Sequence, residues 1–344
     1  MHAPFALLFA LLTTGVPGIV SADLLIVLNK SDHEAVLVDP ATLTPVARLA
    51  TGRGPHEVAV TPDGRLAYIS NYGMFGVFRE GQRVSEPGNT LTVLDLQTRT
   101  VKDTIDLGEY TQPHGLAVSR DGRRLWVTCE TAQSVLELDA ATGAILKVWK
   151  TGQNTSHMIV PGVDEAKLFI TSIRSGSATI IDRATDRVTS FETGPGAEGV
   201  DVSPDGREVW VTNRADSSIS ILDARGDSLI AKIESGGRFP IRVKFTPDGR
   251  EAWVSCLQSD AVTVFDARTR SLLATLPVGA APVGIQMTPD GTRAYVANTN
   301  ADLVTVFDVP ARKILATFTT GNEPDGMAWV PAVKPAVKGG APGR

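Results

Sequence analysis

Long apolar runs are scarce in this chain of 344 residues. Beyond the first twenty or so positions, no stretch approaches the roughly 20 consecutive apolar residues that a membrane-spanning helix requires, so the body of the chain is not expected to cross a bilayer. A basic excess is also missing: 33 Lys and Arg stand against 38 Asp and Glu, for a formal charge of −5. Phosphate neutralisation supplies most non-specific affinity for nucleic acid, and an acidic chain without a Lys/Arg stripe argues against that partner. Cysteine is nearly absent. The two present, Cys129 and Cys256, form no Cys-x-x-Cys pattern, and no Cys-x-x-Cys-His haem attachment, nucleophile signature or phosphate-cradling glycine loop occurs. These gaps argue against a c-type cytochrome, a hydrolase and a nucleotide enzyme.

What is present suits a large packed body: 42% of residues are hydrophobic and 21% charged, a balance far from that of disordered chains. The first 22 residues carry no Asp, Glu, Lys or Arg, and they contain an apolar run from Phe5 to Leu12, then Gly15, Pro17 and the small residues Ser21 and Ala22. That run is too short for an anchor and reads as a cleaved export signal. The expected division is therefore a signal peptide over 1–22, a body over 23–331 and a flexible Pro/Ala/Gly-rich tail over 332–344, in a protein of the periplasm or the extracellular space.

The strongest signal is internal repetition. A turn signature recurs as TPDG at Thr61, SRDG at Ser119, SPDG at Ser203 and TPDG at Thr246 and Thr288, with a degenerate GVDEA at Gly162. The turn aspartates are spaced by 58, 43, 41, 43 and 42 residues, and all but the first spacing match a four-stranded propeller blade. Each turn is preceded by an apolar run such as VAV or LAV. It is followed by an aromatic-led run (AYISN, LWVTC, VWVTN, AYVAN), a third ending in aspartate (TVLD, SILD, TVFD) and a fourth leading to glycine. Alternating β-branched and apolar residues between Pro-Asp-Gly and Asp-Ala-Thr clusters predict strands and tight turns with almost no helix. Residues 24–50 supply only three strands of a blade, and DGMAWV at 325–330 supplies an orphan first strand. The expected fold is all-β, a seven-bladed β-propeller whose ring is closed by overlap of the N- and C-terminal strands, which removes the exposed edges of an open stack. On this alignment Cys129 and Cys256 lie three blades apart, too far for a disulfide.

The runs YISN, WVTN and YVAN, with PDG turns before them and TVFD or SILD after, resemble the YVTN-repeat β-propeller family across essentially everything after the signal. That resemblance implies fold more than activity, because the family includes cell-surface proteins, periplasmic binding proteins and relatives of the haem d1 domains of nitrite reductases; fold does not convey chemistry.

In a propeller the innermost strands all start at one mouth of the channel. The residue seven before each turn aspartate is His56, His114, His157, Glu198, Ile241 and Val283, and the orphan strand adds Asp325. Three of the four histidines after the signal thus occupy one repeat slot in consecutive blades, flanked by carboxylates. Imidazole and carboxylate suit a borderline divalent ion, so the candidate metal ligands are His56, His114, His157, Glu198 and Asp325, for zinc or copper before iron or nickel. Pro-His also recurs at strand starts in the resembled family, so histidines that merely bond backbone or water remain the alternative.

The 58-residue spacing reflects an insertion, NYGMFGVFREGQRVSEPGN, on the same face as the strand starts. Its Tyr72, Phe75 and Phe78 are unusually apolar for a loop and suit a lid over a cofactor such as a tetrapyrrole, or a protein-partner surface over 72–88. His33 reads as a turn residue, with ligation as the alternative. Glu57 and Arg242, adjacent to the ring slot, are expected by strand alternation to point between blades. Arg174 and Arg214, after the second strands, either attract an anion or are simply solvated. Three functions remain open: a metal-binding propeller that captures or delivers the ion, a metal- or tetrapyrrole-dependent oxidoreductase or lyase, and an interaction scaffold without a small ligand.

Overall fold

The computed structural model describes residues 23–73, 86–225 and 228–332. The expected signal, the tail from 333 and the loop residues Phe75 and Phe78 lie outside the described residues. Seven four-stranded antiparallel sheets form a seven-bladed β-propeller, and the only helical elements among the described residues are two short 3-10 turns, Leu257–Ser259 and Thr299–Ala301.

Blade one is built from both ends of the chain: Pro324–Val330 pairs antiparallel with Leu24–Asn29, placing Ile26 opposite Ala328. The inner strands of blades two to seven are Pro55–Val60, Pro113–Val118, Ser156–Pro161, Ala197–Val202, Pro240–Phe245 and Pro282–Met287. Each runs away from the mouth, turns at the Pro-Asp-Gly signature or, in blades three and four, at its Arg-Asp-Gly and Val-Asp-Glu variants, and returns as the second strand. The turn chemistry is repeated in detail. In the first such turn, Thr61 Oγ1 donates to Asp63 Oδ1 at 2.6 Å while Gly64, at φ +68°, supplies the left-handed step.

In blades two to seven the aromatic that leads the second strand fills the wedge between blades. Trp126, Trp210, Trp253, Tyr68 and Tyr295 are completely or almost completely buried. Trp210 meets Phe245 of the next blade edge-on at 5.4 Å, and Trp253 meets Phe307 likewise. Each such ring removes on the order of 200 Å² from water, about 5 kcal/mol of gross burial per blade junction at ~25 cal/mol per Å².

In blades three to six the hydroxyl residue two positions further along the same strand ties the blade to the next at the mouth. Thr212 donates to the Ile241 carbonyl at 3.1 Å and Ser255 to the Val283 carbonyl at 2.7 Å, while Thr128 and Thr171 serve the carbonyls of His157 and Glu198 in the same way. The strands that carry the ring residues are therefore fixed by their neighbours. Packing there is so close that a Cβ on Gly115 would stand 2.7 Å from the His157 carbonyl oxygen.

Alternation fails at the start of these strands. Pairing in blade two shifts register between Pro55 and Val58, and in blade six between Pro240 and Val243. A bulge lets two successive residues face the same side. This corrects the expectation for Glu57 and Arg242: they do not point between neighbouring blades but meet each other, bonded Nη2 to Oε1, from blades two and six. Both cysteines are buried free thiols, as their separation requires.

Candidate functional site

The second residue of each inner strand forms a ring at the mouth: Asp325, His56, His114, His157, Glu198, Ile241 and Val283, from blades one to seven, all of them buried. A second ring is made by the residue that follows each second strand: Lys30, Tyr72, Glu130, Ile173, Arg214, Leu257 and Thr299. Blades one to five place ionisable or hydrogen-bonding side chains in these two rings, whereas blade six places Ile241 and Leu257 there, with Arg242 beside them on the cavity wall. A cavity of about 650 Å³ opens here, lined by members of both rings.

The aromatic rings form a continuous column. His56 lies against Tyr72 with centroids 4.7 Å apart and against His114 at 5.1 Å; His114 stacks on His157 at 3.7 Å with an interplanar angle of 35°. His157 is held at both nitrogens, Nδ1 at 2.5 Å from Glu130 Oε1 and Nε2 at 3.1 Å from Glu198 Oε1. The Tyr72 hydroxyl donates to the other oxygen of Glu130 at 2.5 Å, and Arg214 Nη1 donates to the other oxygen of Glu198 at 2.7 Å. Asp325 is paired with the buried ammonium of Lys30 at 2.9 Å, and His56 Nδ1 stands 2.9 Å from the Gly54 carbonyl oxygen.

These contacts separate the histidines electrostatically. Burial, followed by the charge of Lys30, pushes His56 down to about 4. Burial and then the neighbouring His157 push His114 well below its ordinary value. For His157 burial is again the largest single influence and acts downward, but the Glu198 charge and the bonds to Glu130 and Glu198 together outweigh it and raise the group to about 9. At neutral pH the column is two neutral imidazoles stacked on an imidazolium. Tyr72 is pushed upward by burial and by Glu130 and stays a neutral donor.

The five candidate ligands do converge on one mouth, but in different roles. One donor atom each of His114, Glu130 and His157 lie within 4.8 Å of one another, all three residues buried. The ligand atoms of a tetrahedral ion with bonds of ~2.0–2.1 Å stand about 3.3–3.5 Å apart, so small side-chain shifts suffice. Nδ1 of His114 is buried and has no hydrogen-bond partner among the described residues. The chemistry of this donor set and its unpartnered nitrogen fit a divalent ion. Glu198 sits on the far nitrogen of His157, Asp325 is engaged by Lys30, and His56 turns one nitrogen to backbone. Glu130 and Lys30 were missed by sequence reasoning, which followed one repeat slot; the same alignment read at the residue after the second strand displays both. His33, at φ +56°, accepts a bond from the Gly54 amide at 3.1 Å, in keeping with a turn role.

Fold and site define a seven-bladed β-propeller with a histidine- and carboxylate-lined mouth. The family model described as "Lactonase, 7-bladed beta-propeller" matches residues 175–277. No curated protein sequence matches the chain. Among solved structures, hydrazine synthase of Kuenenia stuttgartiensis superposes with a TM-score of 0.69 at 19% identity, over 86% of this chain and 92% of that one. The periplasmic gluconolactonase of Pseudomonas aeruginosa gives 0.71 at 19% identity, over 90% and 99%. The dihydro-heme d1 dehydrogenase NirN, solved in complex with DHE, gives 0.65 at 18% identity, over 89% and 74%. At these identities the likeness is one of fold. No helix among the described residues is long and apolar enough to cross a membrane.

Proposed function

We propose that the chain is an exported binding propeller of the YVTN-repeat kind that holds a divalent transition-metal ion, zinc or copper, on His114, Glu130 and His157. The observation that carries the reading is the approach of those three donors within 4.8 Å, together with the unpartnered Nδ1 of His114. Two further contacts support it. A carboxylate on the far nitrogen of a ligating imidazole fixes its tautomer and raises its basicity, and Glu198 occupies that place on His157. Tyr72 likewise orients Glu130. His114, Glu130 and His157 would hold the ion, and three protein ligands are the number found in sites where the metal supplies Lewis acidity. Residues 1–22 serve in this reading as the export signal, and 23–331 as the working domain.

Metal analysis of the protein purified from an export-competent host tests the proposal. The expected result is about one equivalent of zinc or copper, with the mature chain starting at Asp23. A protein that emerges metal-free and takes up neither ion on dialysis would sink it and leave the scaffold function, in which the 72–88 segment meets a protein partner.

A second reading is enzymatic. The family-model match over 175–277 and an imidazolium clamped between two carboxylates favour proton transfer to a small substrate such as a lactone. Lactone hydrolysis that survives complete chelation would select this reading over the first. A coloured preparation would instead point to a tetrapyrrole under the loop.

A further inference from the structure

We infer that the same mouth binds a small amphipathic organic anion, a carboxylate on an apolar body, seated between Arg174, Arg214 and Arg242 and the apolar pair Ile241 and Val283. The inference stands apart from the metal, because none of these five residues is among the proposed ligands.

Arg242 is the central observation. Its side chain is only 11% exposed, and it is bonded to Glu57 through Nη2. Its Nη1 is buried, has no hydrogen-bond partner among the described residues, and comes no nearer to Glu198 Oε1 than 3.9 Å. A guanidinium presents a planar fork of donors suited to carboxylate, and here half of that fork is already held in place by Glu57 while the other half lacks an acceptor.

The charge around it points the same way. Of the described residues lining the cavity, Lys30, Arg174, Arg214 and Arg242 are permanent cations, against the carboxylates of Glu130, Glu198 and Asp325. Lys30 is matched by Asp325 and Arg214 by Glu198, and Glu130 faces His157. The carboxylate that balances Arg242, Glu57, does not line the cavity. At the cavity surface itself four Lys and Arg side chains therefore stand against three carboxylates, in a protein of net charge −5, and guanidinium groups presented in this way draw anions.

The apolar part of the ligand follows from blades six and seven. Where the ring slot elsewhere holds His, Glu or Asp, these blades place Ile241 and Val283 on the cavity wall, beside Arg242. A volume of about 650 Å³ lies within the range of sites that enclose whole organic molecules, and far exceeds the need of a single ion. An inorganic anion satisfies the guanidinium but leaves the apolar wall wet.

Calorimetric titration of the chelator-treated protein with 4-phenylbutanoate, 4-phenylbutanol and inorganic phosphate tests this. The carboxylate is expected to bind at least about tenfold more tightly than either the neutral alcohol or phosphate. Arg174→Ala, at an exposed position, and Arg242→Lys, which keeps the charge opposite Glu57, are each expected to weaken it at least about fivefold. An alcohol or phosphate that binds as tightly as the carboxylate, or carboxylate affinity unchanged in Arg174→Ala, overturns the inference. Because chelated protein is used, the outcome is independent of whether a metal is held at His114.

Discussion

Arg242 and Glu57 are 185 positions apart in the chain, yet they form a largely buried ion pair that joins blade six to blade two across the channel. The bulges at the starts of Pro55–Val60 and Pro240–Phe245 turn both side chains inward, so that the pair lies one residue deeper than the histidine ring.

Breaking this pair from one side is expected to be costly. Glu57→Ala leaves a buried guanidinium without its carboxylate, a change worth about 3–5 kcal/mol, and should lower the urea midpoint accordingly. Replacing both partners with leucine removes the stranded charge and should recover most of the loss. A single substitution that shifts stability by less than about 1 kcal/mol would show that water reaches the site and that the pair is not structural.

The histidines should be unequal toward metal. His114→Ala is expected to reduce zinc affinity by about tenfold or more, and Glu198→Ala by a comparable factor through His157. His56→Ala, whose native ring is turned to the Gly54 carbonyl, should change it less than about threefold. Competition titration against a chromogenic chelator measures all three, and equal losses at His56 and His114 would contradict the assignment.

His157 gives a pH signature with a definite sign. Its folded value of about 9 lies above the unfolded value of 6.5. The stabilisation is therefore complete below about pH 6.5 and is lost as pH rises through about 9. Unfolding free energy of the metal-free protein should fall across that window. Metal binding must expel the same proton, so zinc affinity should rise by up to about tenfold per pH unit from 6 to 9. Affinity that is flat with pH would remove His157 from the ligand set.

Cys129 and Cys256 should be inert. Burial raises both thiols above their ordinary range, Cys256 to about 11, and neither reaches a partner sulfur. A thiol reagent is expected to label neither in the folded protein at pH 8 and both in denaturant. Fast labelling without denaturant would mean that blade three or six opens locally.

The repeat made the architecture legible because most blades spend the same residue types on the same tasks: Thr61 and Asp63 on the turn, Tyr68 on the wedge, Thr212 on the neighbour's carbonyl. A periodicity of that kind survives alignment of the chain on itself. The ring slot was legible for the same reason, and it brought His56, His114, His157, Glu198 and Asp325 to one mouth. Their individual roles were not, because these depend on partners in other blades: Glu130 on His157, Lys30 on Asp325. Glu57 and Arg242 eluded strand alternation because a bulge is a property of two paired strands, and one strand's pattern does not display it.

Blade one has a consequence for biosynthesis. Among the described residues Asp325 comes from the last strand and Lys30 follows the first, so their contact at the mouth cannot form until the six intervening blades have been translated. A nascent chain therefore carries its three ring histidines early, but the rim that surrounds them is completed only when Pro324–Val330 docks on Leu24–Asn29.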